Sequence, residues 1–226
     1  MNEEYDHLGE KPPHGIAGWT TDSASVILEA RYDLWLQPLN GRTATNLTQG
    51  LGAENELELR IVDLEPDEDL IDLRKPLILS ASGQWTKKAG FYRLRSGRLE
   101  ELVFDDVRFG RVTKADSTDV LLYTREDFRT FPDYLTSGLD FADPVKVTDA
   151  NPQQADYNWG RNILFDYWTA DSVHLQGILS VPDDYVPGQK RPMIVDFYEK
   201  MSQSQNAYAN PIFRDTPMVA GYVSAG

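Results

Sequence analysis

A strand–turn–strand unit recurs through residues 1–150, and that recurrence limits the fold more than any other feature of the chain. The first unit runs from Trp19 through VILEARYDLWL (26–36) and a turn to Asn46-Leu47-Thr48. The second is PLILSASGQWTKKAGFYRL (76–94), a glycine turn and Glu101-Leu102-Val103. The third is VLLYTREDF (120–128), PDYLTSGLD (132–140) and Lys146-Val147-Thr148. Each is an apolar strand, a polar turn, an aromatic strand, a second turn and a short final strand. Between them Leu57, Leu59, Ile61 and Leu64 are set among Glu58, Arg60 and Asp63 at close to a period of two, the spacing of a half-buried strand. Asn40-Gly41 is a tight-turn signal. Many short strands bounded by turn residues argue for an all-β architecture. A repeat of roughly 40–55 residues suits propeller blades of about 40–50; a single antiparallel sandwich fits the same pattern.

Charge narrows the partners. Asp and Glu number 36 against 22 Lys and Arg, a net −14. Such a chain repels a phosphate backbone and an anionic membrane surface, so neither nucleic acid nor membrane is an expected partner. Hydrophobic residues at 41 % and charged residues at 26 % are globular proportions, unlike disorder. With no cysteine, disulfides, thiolate metal sites and cysteine nucleophiles are excluded together. The opening MNEEYDHLGEKPPHG lacks the basic and apolar regions of a signal peptide. No apolar run reaches the roughly 18–20 residues of a membrane helix. The chain as given reads as soluble, with its compartment unassigned.

The pattern changes after Thr148. TDANPQQADYNWG (148–160) is polar, with Asn, Pro and Gly, and reads as a linker. Beyond it ILFDYW (163–168) and LQGILSV (175–181) read as two strands joined at Ala170-Asp171-Ser172. DDYVPGQKRP (183–192) is a loop. MIVDFY (193–198) is nearly continuously apolar, as in a strand covered on both faces of a parallel sheet.

The usual catalytic patterns are missing. There is no Gly-x-Ser-x-Gly elbow; Gly221 to Gly226 has the wrong spacing. There is no paired-histidine zinc motif, phosphate loop or dinucleotide fingerprint. No metal or cofactor is expected. His7, His14 and His174 are scattered, and His174 reads as a surface or packing residue. The carboxylates form no pair that sequence singles out, and Asp67-Glu68-Asp69 reads as a solvated loop. Asn46-Leu47-Thr48 is a glycosylation sequon by pattern only. The 5 tryptophans read most simply as packing residues.

TDANPQQ and LQGILSVPDDYVPGQKRPMIVDFYE (175–199) resemble the junction and start of the catalytic domain in the prolyl oligopeptidase family of serine peptidases, its dipeptidyl-peptidase branch included. GWTTDSASVILEARYDLW, SASGQWTKKAGFY and LLYTREDFRTFPDY are similar to that family's last propeller blades. The resemblance covers nearly the whole chain and selects the propeller over the sandwich. It implies a mainly β fold: about three blades over 1–150, a linker over 151–160, and the first strands of an α/β-hydrolase domain over 161–226. It implies peptide-bond hydrolysis by a serine that attacks the carbonyl while a histidine, oriented by an aspartate, carries the proton. In a hydrolase domain these follow the third strand in the order Ser, Asp, His. All three are therefore expected beyond Gly226, and none is matched to a residue of this chain.

One role carries over. In the dipeptidyl-peptidase branch a tyrosine just after that apolar strand donates to the oxyanion; the matching residue is Tyr198. A phenol at the C-terminal end of a parallel strand points into the crevice where ligands bind. Glu199 is adjacent and is expected to line the same mouth. Glu199-Lys200 stand where the family has small residues. The expected partners are a peptide substrate and the remainder of the propeller and hydrolase domains.

A propeller closes with about four blades at least, so about three leave open sheet edges. The expectation is a partial chain that folds poorly alone and tends to associate. The rival reading is a non-catalytic propeller-type binding module for a protein or glycan.

Overall fold

The structure, a computed structural model, describes residues 8–198, 200–212 and 217–225. It is mainly β. Gly15–Thr20 (β1), Ser25–Glu29 (β2), Leu34–Pro38 (β3) and Thr45–Asn46 (β4) form an antiparallel meander. A short helix, Leu51–Asn55 (α1), leads to Leu57–Ile61 (β5), and Leu70–Ile71 (β6) returns to lie parallel to β1. Leu77–Gly83 (β7), Ala89–Arg95 (β8) and Arg98–Asp105 (β9) extend β5 into a second meander, in the order β5-β7-β8-β9. The third meander uses Arg108–Phe109 (β10), Leu121–Glu126 (after Thr113–Lys114, β11; hence β12), Asp133–Ser137 (β13) and Val145–Lys146 (β14), in the order β10-β12-β13-β14. These are the blade-like sheets that the repeat predicts. Arg161–Trp168 (β15) and His174–Val181 (β16) form a separate antiparallel hairpin, in register from Arg161↔Val181 to Trp168↔His174. Val219–Ala225 is a helix (α2).

The chain forms two compact units. One holds residues up to Asp105 with 112–121 and 137–143; the other holds 106–111, 122–136 and 144–226. The first unit's core is Ile27, Leu34, Leu57, Leu59, Leu79, Ala81, Tyr92 and Leu94. They come from β2, β3, β5, β7 and β8, so alternate residues of both meanders turn their apolar face to one interior. Ile27, Leu34, Leu59 and Leu79 are fully buried, each removing roughly 1.5–3 kcal/mol of apolar side chain from water.

The turns have local causes. Gly41 (φ +79°) supplies the left-handed residue between β3 and β4, and Asn40 Oδ1 accepts from Arg42 N at 3.1 Å. At Gly90 a Cβ would stand 1.9 Å from Val103 O; only glycine lets β8 approach β9 so closely.

Two expectations are corrected. Residues 191–198 lie in neither helix nor strand, although MIVDFY reads as a strand buried on both faces. Met193 is 70 % exposed and Phe197 85 %. β propensity reflects packing against neighbours, and among the described residues no strand pairs with this stretch. Of the tryptophans, Trp159 is buried, whereas Trp19, Trp35 and Trp168 are exposed. The first two stand on outward positions of short strands.

Candidate functional site

The chemistry expected of Tyr198 depends on what holds residues 193–210. Tyr198 is 74 % exposed. Glu199, the second expected site residue, lies outside the described residues, as does His7. On the N-terminal side Arg191 Nη2 pairs with Asp184 Oδ2 at 3.2 Å, across the Pro/Gly loop. On the C-terminal side a 3₁₀ turn at Met201–Ser204 is followed by firm anchors. Asn162 Nδ2 donates to Gln205 O at 2.9 Å, and Ala209 N donates to Phe128 O at 3.2 Å.

Tyr208 is the principal anchor of this segment. Its ring meets Phe131 edge-on at 5.3 Å and Trp159 at 5.1 Å. Asn151 Nδ2 donates to its hydroxyl at 2.9 Å. Burial raises the phenol's pKa, against the opposing effect of the Asn151 bond. Trp159 donates through Nε1 to Gln154 O at 2.9 Å, so the buried end of the otherwise mostly exposed 148–160 segment is tied back to its own 3₁₀ turn. Glu126, paired with Arg108 at 3.6 Å, is pushed above the ordinary carboxylate range, chiefly by burial. Sequence reasoning passes over Tyr208; the only signal is one aromatic residue in the polar run QSQNAYANP.

His174 is not poised as a base for Tyr198. Its Nε2 lies 2.8 Å from Asp166 Oδ1, and its ring stacks on Trp168 at 4.9 Å and 15°. Gln176 Nε2 shares that carboxylate oxygen at 3.0 Å. These are directly opposed or diagonal positions of the hairpin, and such pairs are what hold two strands together. The opposite face carries Phe165 and Tyr167, rings 6.0 Å apart.

In the first unit an open depression of about 420 Å³ is lined by Pro13, His14, Leu28, Glu29, Arg31 and Trp35, among others. Its charged groups are engaged. Arg31 Nη2 donates to Gln84 Oε1 at 3.0 Å, and Glu29 pairs with Arg60 at 3.7 Å. Among the described residues no group of three or more His, Asp or Glu side chains is placed to hold a metal ion. Among the described residues, too, no helix is long and apolar enough to cross a membrane.

No family model and no curated protein sequence matches the chain. Solved structures do. A serine-to-alanine variant of AtxE2 isopeptidase with Astexin3-dC4 bound is similar over 89 % of this chain, at 13 % identity and a TM-score of 0.55. AtxE2 isopeptidase without ligand is similar over 81 %, at 13 % identity and a TM-score of 0.50. The chain spans 30 % and 27 % of the length of these two structures. An Agrobacterium tumefaciens protein assigned as TolB is similar over 72 % of this chain at 16 % identity, with a TM-score of 0.39. At such identity the likeness is one of fold alone.

Proposed function

We propose that this chain is part of a serine peptidase of the prolyl oligopeptidase type, comprising its last propeller blades (1–150), a junction (151–160) and the start of an α/β-hydrolase domain (161–226). The observation that carries the reading is the run of blade-like meanders followed by a separate hairpin, a fold similar to an isopeptidase over 89 % of the chain. The substrate is a peptide, held at a mouth that the propeller screens. A serine beyond this chain's residues attacks the scissile carbonyl while a histidine takes its proton. The carbon–nitrogen bond breaks as that proton passes to the leaving amine, and water then releases the acyl group.

Within this chain Tyr198 supplies the oxyanion contact. Its hydroxyl donates to the carbonyl oxygen as negative charge gathers there. Glu199 lines the same mouth. Tyr208 acts only through position: packed between Phe131 and Trp159, it fixes the far end of the loop that carries Tyr198.

The test is peptide hydrolysis by the protein as its native host makes it, against linear and isopeptide-linked substrates, with and without a fluorophosphonate. The proposal expects hydrolysis that the probe abolishes. Tyr198→Phe should then lower kcat by about 10²-fold, the loss typical of one oxyanion donor, with KM little changed. Hydrolysis untouched by the probe, or none with any peptide, contradicts the proposal and leaves the binding-module reading.

A further inference from the structure

Glu126 ends a blade strand at the point where the segment that follows Tyr198 is fastened. Its side chain is 16 % exposed, and its ion-pair partner Arg108 lies at 3.6 Å. The carboxylate also accepts from the Tyr208 backbone N–H. Two residues on, Phe128 O accepts from Ala209 N at 3.2 Å. The end of β12 and the turn after it therefore hold residues 208 and 209 through two main-chain donors. A carboxylate withdrawn this far from water is costly unless donors meet it. One of the donors that meets Glu126 belongs to the segment beyond Tyr198. From this we propose that Glu126 is a positioning residue for the oxyanion contact: by holding the Tyr208 amide it sets where the loop presents the Tyr198 hydroxyl. The inference rests on the peptidase reading of Tyr198.

The path back from Tyr208 is a series of tight turns. Ala207 N donates to Ser204 O at 3.0 Å and Gln205 N to Ser202 O at 3.2 Å. Ser204 Oγ donates to Met201 O at 2.8 Å, within the 3₁₀ turn Met201–Ser204. Asn162 Nδ2 fastens the end of that turn through Gln205 O at 2.9 Å. A run bonded at such short intervals has little freedom to absorb a shift, so a displacement at Tyr208 is carried to Met201, close to Tyr198 in sequence.

The other end of the loop returns to the same blade turn. Arg129 Nη1, one residue past Phe128, pairs with Asp183 Oδ1 at 3.3 Å. Both of these side chains are well exposed, and exposed pairs contribute little. Of the two attachments, the sheltered Glu126 is the stronger. All of these residues belong to the second unit.

The test uses the protein as its native host makes it. Glu126→Ala removes the acceptor, and Glu126→Gln keeps a side-chain oxygen for the Tyr208 amide. The proposal expects Glu126→Ala to lower kcat by about 10- to 10²-fold, the loss that follows a misplacement of roughly 1 Å, with KM little changed. Glu126→Gln should recover most of that loss. In a Tyr198→Phe background Glu126→Ala should lower kcat by less than about twofold, because residues that act through one another are not additive. Glu126→Asp, one methylene shorter, should show the same dependence on Tyr198 in milder form and replaces the alanine variant if that one does not fold. Hydrogen exchange gives a readout independent of hydrolysis: the Tyr208 amide should exchange about tenfold faster in Glu126→Ala and at the native rate in Glu126→Gln. Equal losses of kcat with and without the Tyr198 hydroxyl would overturn the proposal while leaving the peptidase reading in place, as would a Tyr208 amide that exchanges alike in every variant. Absence of hydrolysis in the unmodified protein would overturn the peptidase reading and this role together, even with the exchange rates as expected.

Discussion

Asp33 is 4 % exposed, and its carboxylate is wholly committed to the first meander. Oδ1 accepts from Thr48 Oγ1 at 2.6 Å and from Gly52 N at 3.1 Å, and Oδ2 accepts from Ala53 N at 3.1 Å. Thr48 Oγ1 in turn accepts from Leu34 N at 3.2 Å. Asp133 repeats the device: Oδ1 accepts from Thr148 Oγ1 at 2.7 Å and from Ala150 N at 2.9 Å, while Thr148 Oγ1 accepts from Tyr134 N at 2.9 Å. Each tie fastens the start of an aromatic strand to the second residue past the edge strand that pairs with it. Thr48 is fully buried, so Thr48→Val should cost about 1–3 kcal/mol in urea unfolding, the cost of stranding buried polar groups. Thr148 is only half-buried, and Asp133 keeps Lys146 at 2.7 Å, so Thr148→Val should cost less. Equal losses would contradict this account.

The same aspartate predicts a pH dependence. Burial pushes the Asp133 pKa up, but hydrogen bonds from Lys146, Thr148 and Ala150 outweigh it and hold the carboxyl below its ordinary range. A folded pKa below the unfolded value means the contribution is present above about 4, the unfolded carboxylate value. It is lost as pH falls through the folded value. The stability gap between the chain and Asp133→Asn should therefore narrow on acidification, read by urea melts at neutral and strongly acid pH. A gap that widens would contradict it. Asn46 is also committed locally: its Oδ1 accepts from Thr48 N at 2.9 Å. Expression through a glycosylating secretory pathway should add no glycan mass at Asn46. The sequence displays Leu47-Thr48 and Val147-Thr148 as a repeat, but the two aspartates that answer them are hidden among 36 acidic residues. Only the folded register separates those partners from solvated carboxylates.

At the scale of elements, glycines set two close approaches. A Cβ at Gly160 (φ +68°) would stand 2.2 Å from Val181 O and 2.3 Å from Val223 Cγ1. Gly160→Ala should cost on the order of 2–3 kcal/mol, through left-handed strain and overpacking together, with loss of hydrogen-exchange protection in β15. Gly90→Ala should likewise unpair β8 from β9. Full retention of either strand pair would contradict the close approach. Strand existence is legible because apolar alternation and turn residues act within a few positions: VILE, LWLQ, LELRI, LILS and LLYT all lie in strands. MIVDFY fails for the opposite reason. A strand needs a partner, and a run of apolar residues specifies the appetite for pairing without the element that meets it. Tyr208 is missed because its role comes from Phe131, Trp159 and Asn151, which lie far away in sequence.

For the molecule as a whole, the blade-like meanders and the hairpin are the level at which the resemblance and the fold agree. The role proposed for Tyr198 is a finer matter, because it requires an attacking serine, and the sequence holds no Gly-x-Ser-x-Gly elbow to supply one. An oxyanion donor without an attacking serine transfers no acyl group. The direct measurement is the intact mass of the protein from its native host after enrichment with a fluorophosphonate probe. The account predicts a labelled species well above 25.6 kDa that contains residues 1–226. A species near 25.6 kDa recovered only without the probe would contradict it, and the chain would then be a binding domain without acyl-transfer chemistry.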